Sequence, residues 1–215
     1  MEKSIIKPKM SNYLLEYKND NMNVDDDREL QGMHFIDCVI SFDIKDNIKI
    51  DGCIFNNVNF NNLKFEKIEI LDCIFDNCDF SNSSLSESNI YRSEFKKCRL
   101  TGCDFSGSNF KNVIIAESSC KYINFSSSTI KLARFDNNDM ENGSLNMCNL
   151  ENFNFDKCNL KSVEFITTPL KDIDLSTSNI EGIRLVGKEL FGATISFSQT
   201  TDLVKLLGVK IKEEL

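Results

Sequence analysis

Between residues 73 and 112 the chain reads Cys73-Ile74-Phe75-Asp76-Asn77, Cys78-Asp79-Phe80-Ser81-Asn82, Ser83-Ser84-Leu85-Ser86-Glu87, Ser88-Asn89-Ile90-Tyr91-Arg92, Ser93-Glu94-Phe95-Lys96-Lys97, Cys98-Arg99-Leu100-Thr101-Gly102, Cys103-Asp104-Phe105-Ser106-Gly107 and Ser108-Asn109-Phe110-Lys111-Asn112. A small residue opens each block of five, a large apolar one holds its centre, and polar residues close it. Outward from this stretch the phase persists: from Ile50 to Ile195 every position divisible by five is apolar, counting Cys120 and Met140. At 41% overall hydrophobic content, such a run has a chance probability on the order of 10⁻¹². The phase reaches back through Ile40, Phe35 and Leu30, with Lys45 its one polar member.

Neither a helix, with its period near 3.6, nor a strand, with its period of 2, explains a period of five. A solenoid does, because each short unit contributes one inward side chain, turns a corner and stacks on the coil below. The flanking columns fit such corners. Two residues before the apolar centre stand small residues, among them Cys53, Cys73, Ser83, Ser88 and Cys103; two residues after it Asn and Gly recur, as at Gly52, Asn57, Asn62, Asn77 and Gly107, residues that tolerate turn conformations at low steric cost. A second period of twenty places four units in each coil. Phe35, Phe55, Phe75, Phe95, Phe135 and Phe155 fall in one such column, and Ile50, Ile70, Ile90, Ile130 and Leu150 in another. Residues 30–195 then make about eight coils, a rod of roughly 40 Å at the usual spacing between parallel strands.

Units such as Cys78-Asp79-Phe80-Ser81-Asn82, Cys103-Asp104-Phe105-Ser106-Gly107 and Ser108-Asn109-Phe110-Lys111-Asn112 resemble the signature of pentapeptide-repeat proteins. That resemblance implies a right-handed quadrilateral parallel β-helix, an all-β fold, here with a short C-terminal helix. The chain divides into residues 1–29, read as a capping segment or short helix about Tyr13, Leu14, Leu15 and Tyr17 followed by an acidic linker, residues 30–195 as the β-helix, and residues 196–215 as a C-terminal helix and dimerisation segment. In the last of these, Thr200 or Thr201 is expected to cap a helix carrying Leu203, Val204, Leu206 and Leu207, Gly208 to stop it, and Val209 and Ile211 to follow. The segment is similar to the ending of the quinolone-resistance (Qnr-type) branch, which implies a homodimer through Leu203, Leu206, Leu207, Val209 and Ile211.

Composition narrows the function. Twenty-five basic against 33 acidic side chains give a net charge of −8, which argues against nucleic acid as a direct ligand. No apolar run approaches the roughly 18 residues of a membrane helix, and no signal-peptide pattern opens the chain, so the expected location is cytoplasmic. Of the nine cysteines, eight (Cys38, Cys53, Cys73, Cys78, Cys98, Cys103, Cys148 and Cys158) occupy the small inward position and Cys120 the large one, as buried packing residues would. Cys53 with Cys73, and Cys78 with Cys98, are twenty apart and form the pairs to watch for oxidation. His34 is the sole histidine and has no evident catalytic partner. No catalytic residue, cofactor or metal ligand is expected.

Function then rests on the outer surface. The Qnr resemblance implies a partial mimic of DNA that binds DNA gyrase or topoisomerase IV and alters quinolone sensitivity, in the manner of members without loop insertions, because the register is unbroken. The candidate acidic surface is Asp76, Asp136 and Asp156, on one or adjacent outward columns, although Lys111, Lys131 and Lys171 interrupt a neighbouring column. The alternative is a structural or interaction solenoid with another partner.

Overall fold

Every strand pairing from Glu29 onward is parallel and joins residues twenty apart in the computed structural model, which describes residues 4–18, 21–24, 29–42, 47–206, 208–210 and 212. One wall stacks Phe35, Phe55, Phe75, Phe95, Ile115, Phe135 and Phe155 in consecutive coils. A second stacks Ile50, Ile70, Ile90, Phe110, Ile130 and Leu150. The other two walls are held by a short strand pair at Phe65 and Leu85 and by single bridges such as Asn59↔Asp79 and Asp104↔Asn124. The fold is a right-handed quadrilateral parallel β-helix ending in one short helix.

Regular strands from Met33 to Asp156 mark about six turns, fewer than the roughly eight expected over residues 30–195. Beyond Asp156 the coils continue as isolated bridges, Asn159↔Asn179, Glu164↔Arg184 and Asp174↔Thr194. The twenty-residue spacing survives there, but continuous ladders do not.

The corners explain the period. From Asn47 to Asp172 every fifth residue has a positive φ, between 45° and 68°, without a break. This left-handed conformation turns the chain once per unit. It suits Asn and Gly, but Lys67, Arg92, Tyr122, Leu132 and Thr167 adopt it as well, at a cost of about 1 kcal/mol or more each. The stacked neighbours impose it where the residue type does not favour it.

Inside, the rings stack face to face along a wall and meet edge to face across the core. Phe35, Phe55, Phe75 and Phe95 follow one another at centroid separations of 4.9, 4.8 and 4.7 Å with nearly parallel planes. Phe60 and Phe80 stack at 4.5 Å and meet the first column as T-shaped pairs, arrangements that favour aromatic packing beyond simple burial.

The small inward residues do more than save space. The Ser108 hydroxyl donates to the Leu85 carbonyl at 2.9 Å and accepts the Ser88 N–H at 3.0 Å. Ser83, Ser128, Thr168 and the Asn138 amide make the same double link. Cysteine thiols in this column donate weakly to the corresponding carbonyls, as Cys148 does to Phe125 at 3.0 Å. A buried column thus pairs corner groups that the strand ladders leave over.

Both ends depart from expectation in detail. Leu15–Lys18 is a strand, not a helix, pairing in parallel with Met33–Ile36, and Asn21–Val24 pairs with Val39–Phe42. Tyr17 sets its ring 5.9 Å from that of Phe35. The register here is eighteen, not twenty, so this first coil is two residues short. Asp20, Asp25, Asp26 and Asp27 of the expected acidic linker, and Lys45, lie outside the described residues.

At the other end the helix spans Thr200–Lys205 and Gly208 follows it with φ 73°. Its start is prepared earlier than at Thr200 or Thr201: Ser196 and Gln199 form a capping box around the 3₁₀ turn Phe197–Gln199. The Thr200 hydroxyl instead donates back to the Phe197 carbonyl. Gln199 is buried and donates to the carbonyls of Leu175 and Ser178 at 2.8 and 2.7 Å, so the lid closes the last coil with an amide as well as with Leu203, which packs against the core.

Replacing Ser108 by Ala should lower unfolding free energy by about 1–3 kcal/mol, since it strands a buried N–H and carbonyl together. Chemical denaturation checks this; an unchanged midpoint would show that the corner hydroxyls only fill space.

Candidate partner-binding surfaces

Side chains on either side of each inward centre point outward, and the register places equivalent ones on adjacent coils. Asp136 and Asp156 are neighbours in paired strands, with Ala116 on the coil before Asp136. Asp76 lies between Asn56 and Lys96 on the same column, three coils from Asp136. The structure therefore brings Asp136 and Asp156 together and leaves Asp76 apart. Asp136 takes the Arg134 guanidinium at 2.6 Å, while its other oxygen is buried without a hydrogen-bond partner. Burial raises its pKa above the ordinary carboxylate value despite Arg134, and the Asp156 charge pushes the same way.

Elsewhere acids and bases alternate between coils. Lys49 meets Glu29, Arg99 meets Asp79, Lys121 meets Glu141, Lys131 meets Glu151, Lys161 meets Glu181 and Arg184 meets Glu164, each pair twenty residues apart. Such exposed pairs add little stability. They do neutralise much of the acidic surface locally. Lys111 and Lys131 sit side by side in paired strands.

At the C-terminal end, Leu203 faces the core, whereas Val204, Leu206 and Val209 are exposed. Leu207 and Ile211 lie outside the described residues. Val186, Phe191 and Phe197 are also exposed, Phe197 to 92%. Sequence reasoning passed over these three, although large apolar residues off the five-residue phase were a visible signal.

Other singled-out residues take structural places. His34 is half-buried, its Nε2 2.6 Å from the Asn56 amide oxygen. All nine cysteines are buried and free. Burial pushes the thiols of Cys148 and Cys158 up to about 11, and raises those of Cys53, Cys73, Cys78, Cys103 and Cys120 as well, which suppresses thiolate chemistry. Among the described residues no three His, Cys, Asp or Glu side chains converge as a metal site, and no helix is long and apolar enough to cross a membrane.

Glu189 was not foreseen. The 3₁₀ turn Lys188–Leu190 swings it inward, where it is 3% exposed and accepts the N–H groups of Thr167 and Val186 at 3.1 and 3.0 Å. Burial alone would raise its pKa; the backbone N–H groups of Glu189 itself, Thr167, Val186 and Gly187 outweigh that and hold it below the ordinary value.

Residues 48–125 match the family model described as the pentapeptide repeat region. The chain therefore carries a pentapeptide repeat region folded as the β-helix set out above. No curated protein matches it. Among solved structures it is similar to a trypsin-treated variant of QnrB1, a plasmid-mediated fluoroquinolone resistance protein, at 19% identity over 93% of this chain and 98% of that one, with a TM-score of 0.48. It is also similar to HetL, a pentapeptide-repeat protein involved in heterocyst differentiation regulation from the cyanobacterium Nostoc sp. strain PCC 7120, at 10% identity over 87% and 88% of the two chains, with a TM-score of 0.27. A third is a pentapeptide-repeat protein of the Arabidopsis thaliana thylakoid lumen, at 16% identity over 53% of this chain and 66% of that one, TM-score 0.29.

Because the folded-state pKa of Glu189 is depressed, its contribution is complete above its unfolded value of about 4.3 and lost as pH falls through the lower folded value. The difference in melting temperature between wild type and Glu189→Gln should therefore be largest near neutrality and shrink as the pH is lowered below about 4. Thermal melts across that range check it, and a pH-independent difference would reject the assignment.

Proposed function

We propose that the protein acts without catalysis, as a partial mimic of DNA whose outer surface binds DNA gyrase or topoisomerase IV and alters quinolone sensitivity. The observation that carries this reading is a filled rod whose residues 30–195 hold 23 acidic and 17 basic side chains, a net of −6. The Qnr-like ending and repeat units described from sequence support it. The mimicry is partial in magnitude, since B-DNA presents roughly 22 charges over 40 Å. Contact would centre on the adjoining Asp136 and Asp156, with Asp76 as an outlying group, rather than on a uniformly acidic face, and a basic partner group would compete there with Arg134 and Lys157.

A second reading, an interaction solenoid with a different partner, is favoured by the cross-coil ion pairs that neutralise several acidic positions. Purified gyrase separates the two. Dose-dependent inhibition of supercoiling, or protection from a quinolone, is expected on the first reading, and it should be lost when Asp76 and Asp156 are changed to Lys with the fold verified by circular dichroism. No effect at any concentration leaves the second.

We also propose that the C-terminal end pairs two chains about a two-fold axis, because Phe191, Phe197, Val204, Leu206 and Val209 leave apolar surface exposed around the last coil, and covering it is favourable. Light scattering should give a dimer mass for the wild type and a monomer mass for Phe197→Asp combined with Leu206→Asp. A dimer that survives both changes would place the interface elsewhere.

A further inference from the structure

Residues 4–10, Ser4-Ile5-Ile6-Lys7-Pro8-Lys9-Met10, lie against the side of the rod, not across its end. The Lys9 N–H donates to the Asp72 carboxylate at 2.9 Å, and the Ile6 N–H donates to the Asn112 amide oxygen at 3.1 Å. Asp72 is 6% exposed and is fixed by a fork from Arg92 at 2.8 and 2.7 Å; Asn112 is equally buried. Ile5, Pro8 and Met10 are half-buried, while Ile6, Lys7 and Lys9 face outward.

The spacing is a match of two periods. Asp72 and Asn112 hold the same corner two coils apart, about 9.6 Å, and three residues of extended chain cover about 10 Å. A segment with three residues per turn, as in polyproline II, advances about 9.3 Å per turn and can therefore offer every third N–H to the same side, one to every second coil, whereas a strand of period two would turn that N–H away. Asn152 occupies that corner two coils farther on and lines an open groove of about 1150 Å³ that Ser4, Ile5 and Lys7 border at one end. The apolar lining of the groove comes from Ile114, Ala133, Leu150, Phe153, Pro169 and Ile173; apart from the arm's Lys7, Asp172 and Asp174 outnumber Lys171 there, Arg134 being paired to Asp136 and Glu151 to Lys131. Residues 4–10 make two hydrogen bonds to the rod among the described residues. A longer guest would reach contacts that these residues do not make.

We propose that this corner groove is a recognition site for an extended apolar and basic segment of a partner protein, which displaces the arm that fills one end of it in the free chain. The arm is the template for the guest: apolar side chains inward at Ile5, Pro8 and Met10, lysines outward at Lys7 and Lys9, of which Lys7 borders the groove that holds Asp172 and Asp174, and backbone N–H groups three residues apart. The groove adjoins the acidic pair through Arg134, which holds Asp136, but the arm's own contacts at Asp72 and Asn112 involve neither Asp136 nor Asp156, so peptide binding can be scored apart from gyrase binding.

The test uses the full chain and a fluorescent peptide with the sequence of residues 4–13. Replacing Ile6 and Lys9 together by Pro removes both N–H donors from the arm and leaves the rod untouched. The peptide should bind this variant about tenfold more tightly than wild type, where the arm competes. Adding Asn112→Leu to the variant should abolish that gain, as should a peptide with both lysines changed to Glu. Equal affinity for wild type and the Pro variant, no binding to the variant, or binding indifferent to Asn112→Leu would each overturn the proposal. So would a wild-type dimer that dissociates in the Pro variant, which would make a second copy the occupant.

Discussion

The left-handed corner that recurs at every fifth residue from Asn47 to Asp172 is the constraint on which the rest depends. It turns the chain after each short unit, so that four units close a coil and each residue comes to lie on the one twenty positions later. From that superposition follow the parallel ladders, the stacked phenylalanines and the alignment of corner hydroxyls. Any corner that straightened would shift every later residue relative to the coil beneath it, and inward rings would meet polar outward positions. The coils hold one another in place, which is why Leu132 and Thr167 can keep φ at 52° and 60° against their own preference.

The same logic says which parts of the molecule were legible in the sequence. Inward positions were, because burial against both neighbouring coils admits little but apolar residues at the centre and small ones before it; Phe95, Cys103 and Leu160 are all buried where the five-residue phase puts them. The hydrogen-bonding task of Ser83, Ser108 and Asn138 was not, since a pattern of small residues records available volume and not the partner of a hydroxyl. Glu189 was missed for a different reason. Its phase marks it as outward, and only the local 3₁₀ turn at the fading end of the repeat redirects it.

The candidate surfaces were harder to read because outward residues answer to no common requirement. The register does say which outward residues are neighbours, and it correctly adjoins Asp136 and Asp156. It also puts Lys96 next to Asp76 and sets a cation one coil away from many carboxylates. Net charge is a property of the composition, whereas a partner meets potential, and on a stack with a 20-residue repeat that potential is decided by which sign follows which within a column.

Residues 4–10 show what a solenoid surface offers that a single sheet does not. In an ordinary sheet an extended peptide finds hydrogen-bonding partners only at an edge, where it adds as another strand. Along this rod the backbone groups of each coil are already paired with the coils above and below, so an extended segment lying across the coils must be read by side chains. The corner column supplies them at a repeat of about 4.8 Å per coil, and two coils are close to one turn of a three-residue polyproline II repeat, about 9.3 Å, so that Asp72 and Asn112 both find an N–H. Specificity in such a site comes from which corners carry acceptors: Asp72, Asn112 and Asn152 do, while Arg92 and Leu132 between them do not. The alternation selects one phase of the guest peptide, and a shift by one coil would set an N–H against a guanidinium or a leucine.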